Sequence, residues 1–280
     1  MRAGFEWWRT LGTALLAVSG LVACQSVQTT QSGAVGVERR QMMMVSSREM
    51  EQASAQSYQK IVEEAAQKNA LNRDKEEVER VRAVARRLIP VTGVFRPDAP
   101  GWKWEVNVLS SKELNAWCMA GGKIAFYSGI IERLDLTDDE IAAIMGHEIS
   151  HALREHARER ASQAMVTNIG VNVLGAALGV GRAGTDLIGG AAKLSFELPN
   201  SREHETEADR MGVELAARAG YDPRAAISLW QKMAKVSNGA QPQWLSTHPS
   251  NETRQRDLTE YAARVMPLYE QATQRARPVK

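Results

Sequence analysis

Apolar positions along this chain fall into patterns with different periods. Val78, Val81, Ala85 and Leu88 stand three and four apart, the spacing of a helix with one buried face. They close a helical stretch that runs from about Arg48 to Leu88. Pro90, Gly93, Pro97 and Pro100 then break the chain. Trp104, Val106 and Val108 alternate with Glu105 and Asn107, which is a strand pattern. Gly121-Gly122 predicts a turn into a second short strand, Lys123 to Tyr127. Thr137-Asp138-Asp139-Glu140 is a capping box, and Ile141 to Gly146 follow it without a charge. A helix that is apolar nearly all round is buried. Another helix is predicted from Ser201 to a stop at Gly220, and a further one starts at Asp222-Pro223. Asn238 to Trp244 reads as a loop, followed by a short helix and a basic tail to Lys280. The fold class expected is mainly α with a small β-sheet (α+β).

The buried helix carries His147, Glu148 and His151 in the run H-E-I-S-H. Residues four apart share a helix face, so both imidazoles can address one zinc ion. Glu148 lies about 100° further round, beside the metal, where it can take a proton from the attacking water. A catalytic zinc needs a third protein ligand and an open position. The candidates lie between Ser201 and Asp209. Glu205 and Asp209 share one face, so that one ligates and the other supports. Asp209 is the candidate to accept the second N–H of a metal-bound histidine. Glu203 and Glu207 share a different face and are expected to meet solvent, as is His204. His156 is five residues past His151, off its face, and reads as structural.

These segments resemble the HtpX-like and CAAX-prenyl-endopeptidase-like zinc metallopeptidases. His147-Glu148-Ile149-Ser150-His151 and Glu205-Thr206-Glu207-Ala208-Asp209 match the family's H-E-x-x-H and E-x-x-A-D. Asn115 to Ile124 resembles N-A-x-x-x-P-G-G-x-I, and Ser246-Thr247-His248-Pro249 with Arg254 resembles S-T-H-P-x-x-x-x-R. The resemblance implies a gluzincin-type domain holding one Zn2+ between the H-E-x-x-H helix and the E-x-x-A-D helix, with Glu205 as third ligand. The outer-membrane lipoprotein branch is the nearest in kind. Ala120 departs from the usual proline, and a chain ending near residue 280 without helical repeats is more LoiP-like than BepA-like.

Arg2 and Arg9 precede an apolar run from Leu11 to Ala23, shorter than the roughly 20 residues that span a bilayer. Residues 1–23 therefore read as a signal peptide. Leu21-Val22-Ala23-Cys24 resembles a lipobox, with Cys24 as the lipidated residue and Gln25, not Asp, behind it. That implies the outer membrane, facing the periplasm. Residues 24–47 are rich in Gln, Ser, Thr and Gly and read as a flexible tether, 48–265 as the metallopeptidase domain, and 266–280 as a basic tail. The net charge of +2 argues against nucleic acid as a partner. Cys118 is the one cysteine besides Cys24 and is expected to be buried and inert. The glycine-rich stretch from Val166 to Leu194 reads as a lid or a packed hairpin.

The expected function is peptide-bond hydrolysis in envelope quality control, acting on unfolded or misfolded outer-membrane or periplasmic proteins. Glu148 is the base. His248 is expected as oxyanion donor or fourth zinc ligand, with Arg254 behind it. The strand Lys123, Ile124, Ala125, Phe126 and Tyr127 is expected to edge the cleft and hold a peptide as an added strand. The alternative is an outer-membrane assembly factor or chaperone on the same fold, with zinc structural or latent.

Overall fold

A computed structural model describes residues 25–177, 200–236, 243–248 and 253–276. The order is β1 (Gln25–Val27), β2 (Gln41–Met43), α1 (Ser47–Gln67), α2 (Lys75–Val91), β3 (Glu105–Leu109), β4 (Ala116–Met119), β5 (Lys123–Tyr127), α3 (Ser128–Arg133), α4 (Asp138–Leu153), α5 (His156–Ala177), α6 (Arg202–Arg218), α7 (Ala225–Val236), α8 (Gln243–Thr247) and α9 (Arg254–Ala276). Helices dominate and the main sheet is small, as the patterns predict. The single helical stretch expected up to Leu88 is two helices. Asn69 and Asn72 both adopt φ of 51°, the left-handed region, and turn the chain between them. Asp74 then caps α2 by accepting from the N–H groups of Glu76 and Glu77. Pro90 lies one residue from the end of α2, where little helix remains to be broken.

The three-stranded sheet has the order β3-β5-β4. β5 runs parallel to β3 and antiparallel to β4, with Gly121 (φ 78°) and Gly122 (φ 81°) making the hairpin. This corrects the expected role of Lys123, Ile124, Ala125, Phe126 and Tyr127. They form the central strand, paired on both edges, and have no open edge to offer a peptide. The cause is visible in burial: Ile124, Ala125 and Phe126 are all nearly inaccessible, so the strand has no solvent face and takes neighbours on both sides. The edge strands are β3 and β4; Asn72 bonds along the outer side of β3, and β4 borders a cleft.

The segment read as a flexible tether is ordered from Gln25 onward. β1 and β2 pair antiparallel, Gln25 opposite Met43. Val35 and Val37 enter the main core, and Met43 and Val45 are also buried. Polar composition concealed this alternation of buried positions. Gly33 turns the strap at φ 61°, and a Cβ there would lie 2.4 Å from the Phe95 ring. The expected short helix and basic tail are also corrected. α9 runs to Ala276 and buries Leu258, Ala262 and Val265 along one face. Cys24, the signal and residues 178–199 lie outside the described residues; within the glycine-rich stretch, α5 continues to Ala177.

α4 is the centre of the molecule. It packs against α6, the sheet, α2 and α7. Thr137 caps it and Glu140 returns the bond to the Thr137 N–H, the predicted capping box. Every residue from Glu140 to Leu153 is buried. Ser201 caps α6, and Gly220 (φ 75°) ends it.

Candidate metal centre

α4 and α6 bring His147, His151 and Glu205 together, and His248 joins them from the end of α8. One donor atom from each lies within 4.8 Å of all the others, and all four residues are buried. His147 Nε2 is 3.0 Å from His151 Nε2 and 3.2 Å from His248 Nδ1. Glu205 Oε1 is 3.3 Å from His151 Nε2 and 3.0 Å from His248 Nδ1. Bonds of about 2.0–2.1 Å to a tetrahedral zinc imply ligand separations of roughly 3.3 Å. The donors are imidazole nitrogen and carboxylate oxygen, the set that zinc prefers. The residues therefore fit a divalent cation such as zinc.

The shell around them is charged and closed. His147 Nδ1 donates to Asp209 Oδ1 at 2.9 Å, the supporting role expected of Asp209. That bond leaves the His147 Nε2 lone pair facing the cluster. Arg254 pairs with Asp209 at 2.7 Å and with Glu205 at 2.9 Å, and lies over the Trp230 ring. It thus clamps Asp209 and Glu205 together and does not line the cleft. Burial disfavours charge on Glu205, but His248, Arg254 and His151 outweigh it and hold the carboxyl well below its ordinary range. Burial holds His151 well below the usual imidazole value.

Glu148 lies beside the cluster. Its Oε1 accepts from Trp244 Nε1 at 2.8 Å and is 3.3 Å from His248 Nε2. Trp244 packs between His248 and Trp230, with ring centroids 4.9 Å and 5.2 Å away and the planes tilted by 35° and 38°. Burial pushes His248 down, but the carboxylates of Glu205 and Glu148 more than offset this and raise it. A cleft opens on the cluster, bounded by Trp117, Cys118 and Met119 of β4 and by Glu148, His151 and His248. Cys118 is partly covered, and burial pushes its thiol well above the usual value.

Two surface assignments are corrected. Glu207 is buried and accepts from Arg154, Arg39 and His156. His204 is buried too, stacked on His156 with centroids 4.2 Å apart. α5 and the segment between β1 and β2 cover that side of α6, so a face that looks solvated on the helix alone is enclosed. Glu203 is exposed. His156, whose role was only structural by spacing, touches His151 Nδ1 at 2.8 Å. Trp244 was missed as a site residue, although its place four residues before His248 put it one helical turn away.

Residues 74–262 match the sequence profile of Peptidase family M48. The mitochondrial metalloendopeptidase OMA1 of Arabidopsis thaliana is 36% identical over 160 residues, covering 57% of this chain and 32% of that protein. OMA1 of Saccharomyces cerevisiae is 31% identical over 180 residues, 61% of this chain and 51% of that protein. The chain thus spans about a third to a half of the length of these relatives. The metalloprotease LoiP of Escherichia coli is 26% identical over 248 residues, covering 88% of this chain and 93% of that protein. A beta-barrel assembly-enhancing protease of Escherichia coli O157:H7 is 28% identical over 177 residues, 60% of this chain and 36% of that protein.

Proposed function

The chain belongs to Peptidase family M48, and on that premise we propose that it is a zinc-dependent endopeptidase of the bacterial cell envelope. The observation that carries the reading is the convergence of His147, His151 and Glu205 from two helices, with Glu148 beside them. A cation held there supplies Lewis acidity to the scissile carbonyl and a more acidic water.

The residues supply the rest. Glu148 has one carboxylate oxygen fixed by Trp244 and takes the water proton on the other, then returns it to the leaving amine. His147 and His151 would hold the cation through Nε2. Asp209 fixes the first, and Arg254 holds Asp209 and Glu205 in place. His248 Nδ1 is nearly as close to His147 as His151 is, which supports the fourth-ligand role in the resting protein. Were substrate to take that place, the His248 ring would be positioned to donate to the oxyanion of the tetrahedral intermediate. The outer edge of β4 (Ala116–Met119), which borders the cleft, is the proposed place for the substrate backbone to add as a strand.

Location and clients belong to the same proposal. The lipobox-like Leu21 to Cys24, with Gln25 after it, supports a lipid anchor on Cys24 and the outer membrane, with the domain in the periplasm. Among the described residues no helix is long and apolar enough to cross a membrane. The length-spanning likeness to LoiP supports the envelope over the compartment of the mitochondrial relatives. The expected substrates are unfolded envelope proteins. Likeness to a beta-barrel assembly-enhancing protease supports a second reading, an assembly factor or chaperone with latent zinc.

Glu148→Gln tests the reading. The purified variant is expected to keep about one zinc per chain by metal analysis and to lose casein digestion. Wild-type digestion should stop with chelator and return with zinc. Digestion by Glu148→Gln, or by metal-free wild type, refutes it. Client binding without any digestion by wild type favours the chaperone reading.

A further inference from the structure

A second set of buried polar groups lies behind the metal ligands, and the chemistry above does not use it. His156, at the start of α5, is fully buried and faces two partners. Its Nε2 is 2.9 Å from Glu207 Oε2, and its Nδ1 is 2.8 Å from His151 Nδ1. An ionised carboxylate only accepts, so the proton on that side belongs to His156 Nε2. Two ring nitrogens in contact share one proton. With its own proton on Nε2, His156 offers a bare Nδ1, and His151 must donate from Nδ1 to it. The lone pair of His151 is then left on Nε2, the atom that meets His147 and Glu205. The reverse arrangement, with His156 donating, would put the His151 proton on Nε2 and turn it at the cation.

The surroundings fix Glu207 as the acceptor. Arg154 reaches it with Nη2 at 2.9 Å and Nε at 3.2 Å. Arg39, on the strap between β1 and β2, reaches it with Nε at 3.0 Å and Nη2 at 3.1 Å. Arg39 also grips Glu159 at 2.6 and 2.8 Å, and Glu159 receives Gln41 and His204. Arg154 pairs with Glu207, and Arg39 with both Glu207 and Glu159, so the two carboxylates are held as acceptors for the histidines between them. His204, stacked on His156 at an interplanar angle of 16°, holds the ring against rotation.

We infer that Glu207 and His156 form a relay that selects the metal-binding tautomer of His151, and that Arg39 clamps the relay from the N-terminal strap. The inference rests on the metal reading above and adds positioning residues to it. It also makes the strap, and not α4 and α6 alone, part of the metal site.

The first test uses the wild-type chain. Zinc-loaded protein with 15N-labelled histidine is examined by two-bond 1H–15N correlation spectra. His156 is expected as the Nε2–H tautomer and His151 as Nδ1–H. His156 protonated on Nδ1 overturns the relay. The second test measures zinc affinity by competition with a chromophoric chelator, and the visible spectrum of the cobalt form. His156→Phe should weaken zinc binding about 10–100-fold and alter the cobalt bands, and His156→Gln, whose carbonyl can accept from His151, should restore most of the loss. Arg39→Met, at a residue with part of its side chain in solvent, should weaken zinc binding in the same direction while the metal-free chain stays folded by circular dichroism. Wild-type affinity in His156→Phe overturns the relay. So does a His156→Gln that binds as weakly as His156→Phe. A wild-type chain that binds no zinc instead sinks the metal reading itself, and the relay with it.

Discussion

Gly146 and Gly212 face each other where α4 crosses α6, and neither has room for a methyl group. A Cβ on Gly146 would lie 2.8 Å from the Gly212 carbonyl oxygen, and one on Gly212 would lie 2.8 Å from the His147 backbone nitrogen. The obstructing atoms are backbone, which cannot rotate away. This contact sets how closely the helix of His147 approaches that of Glu205 and Asp209. Gly146→Ala is therefore expected to push the helices apart and destabilise by about 1–3 kcal/mol. The urea midpoint of the metal-free chain reads the stability, and zinc affinity should fall with it. An unchanged midpoint would show that the helices yield freely.

Asp209 orients His147 from outside the His-Glu cluster. Its Oδ1 accepts from His147 Nδ1 at 2.9 Å and from Arg254 at 2.7 Å. Asp209→Ala removes the acceptor that orients the ring. Zinc affinity is expected to drop by about 10–100-fold, measured by chelator competition, with the fold retained. A loss of less than a few-fold would mean that packing alone holds His147.

The residues of the His-Glu cluster were legible because their constraint is local. His147 and His151 needed only helical spacing and a capping box to be placed on one buried face. Glu205 and Asp209 could be paired on one face of a second helix in the same way. Glu207 and His204 were misread because their partners lie on other elements: His156 and Glu159 of α5, and for Glu207 also Arg39, in a segment more than a hundred and fifty residues away whose polar composition hid Val35 and Val37. Strand position was misread for a similar reason. Lys123 to Tyr127 has a strand pattern, but which of its edges is free depends on partners that no period reveals. Residues 266–276 looked like a tail from their charges, although Val265 and Leu258 already sat at helical spacing.

Acid should unfold this protein through carboxylates that hold unusually low values. At Glu155, burial disfavours the charge, but Ser47, Arg96 and Arg158 outweigh it and lower the carboxyl. At Glu140, burial is likewise offset by Lys232, Ser228 and the Thr137 N–H. A carboxyl lowered by folding stabilises the native state fully above its unfolded value of about 4.3, and that contribution is lost as pH falls toward the lower folded value. The urea midpoint is thus expected to hold between pH 7 and pH 5 and to fall steeply below about pH 4.3. Glu140→Gln cannot lose a charge on acidification. It should start less stable at pH 7 and show a shallower fall, and an identical slope in the two proteins would remove Glu140 from this account.

Trp244 tests whether the base is positioned or merely present. Its indole N–H gives Glu148 a bond of 2.8 Å, and its ring packs on Trp230 and His248. Trp244→Phe keeps an aromatic ring in that stack and removes only the donor. Without it, Glu148 Oε1 retains His248 Nε2 at 3.3 Å as its nearest polar partner on that side. A hydrogen bond to a charged group contributes about 1.5–3 kcal/mol, and freeing the carboxylate lets it turn toward His248 and away from the water. The kcat for peptide hydrolysis is expected to fall by about 10–100-fold, while KM and zinc content stay within two-fold or so of wild type. A fall in zinc content with kcat per zinc unchanged would assign Trp244 to the support of His147 and His248 instead, and the positioning of Glu148 would then have to come from the metal site alone.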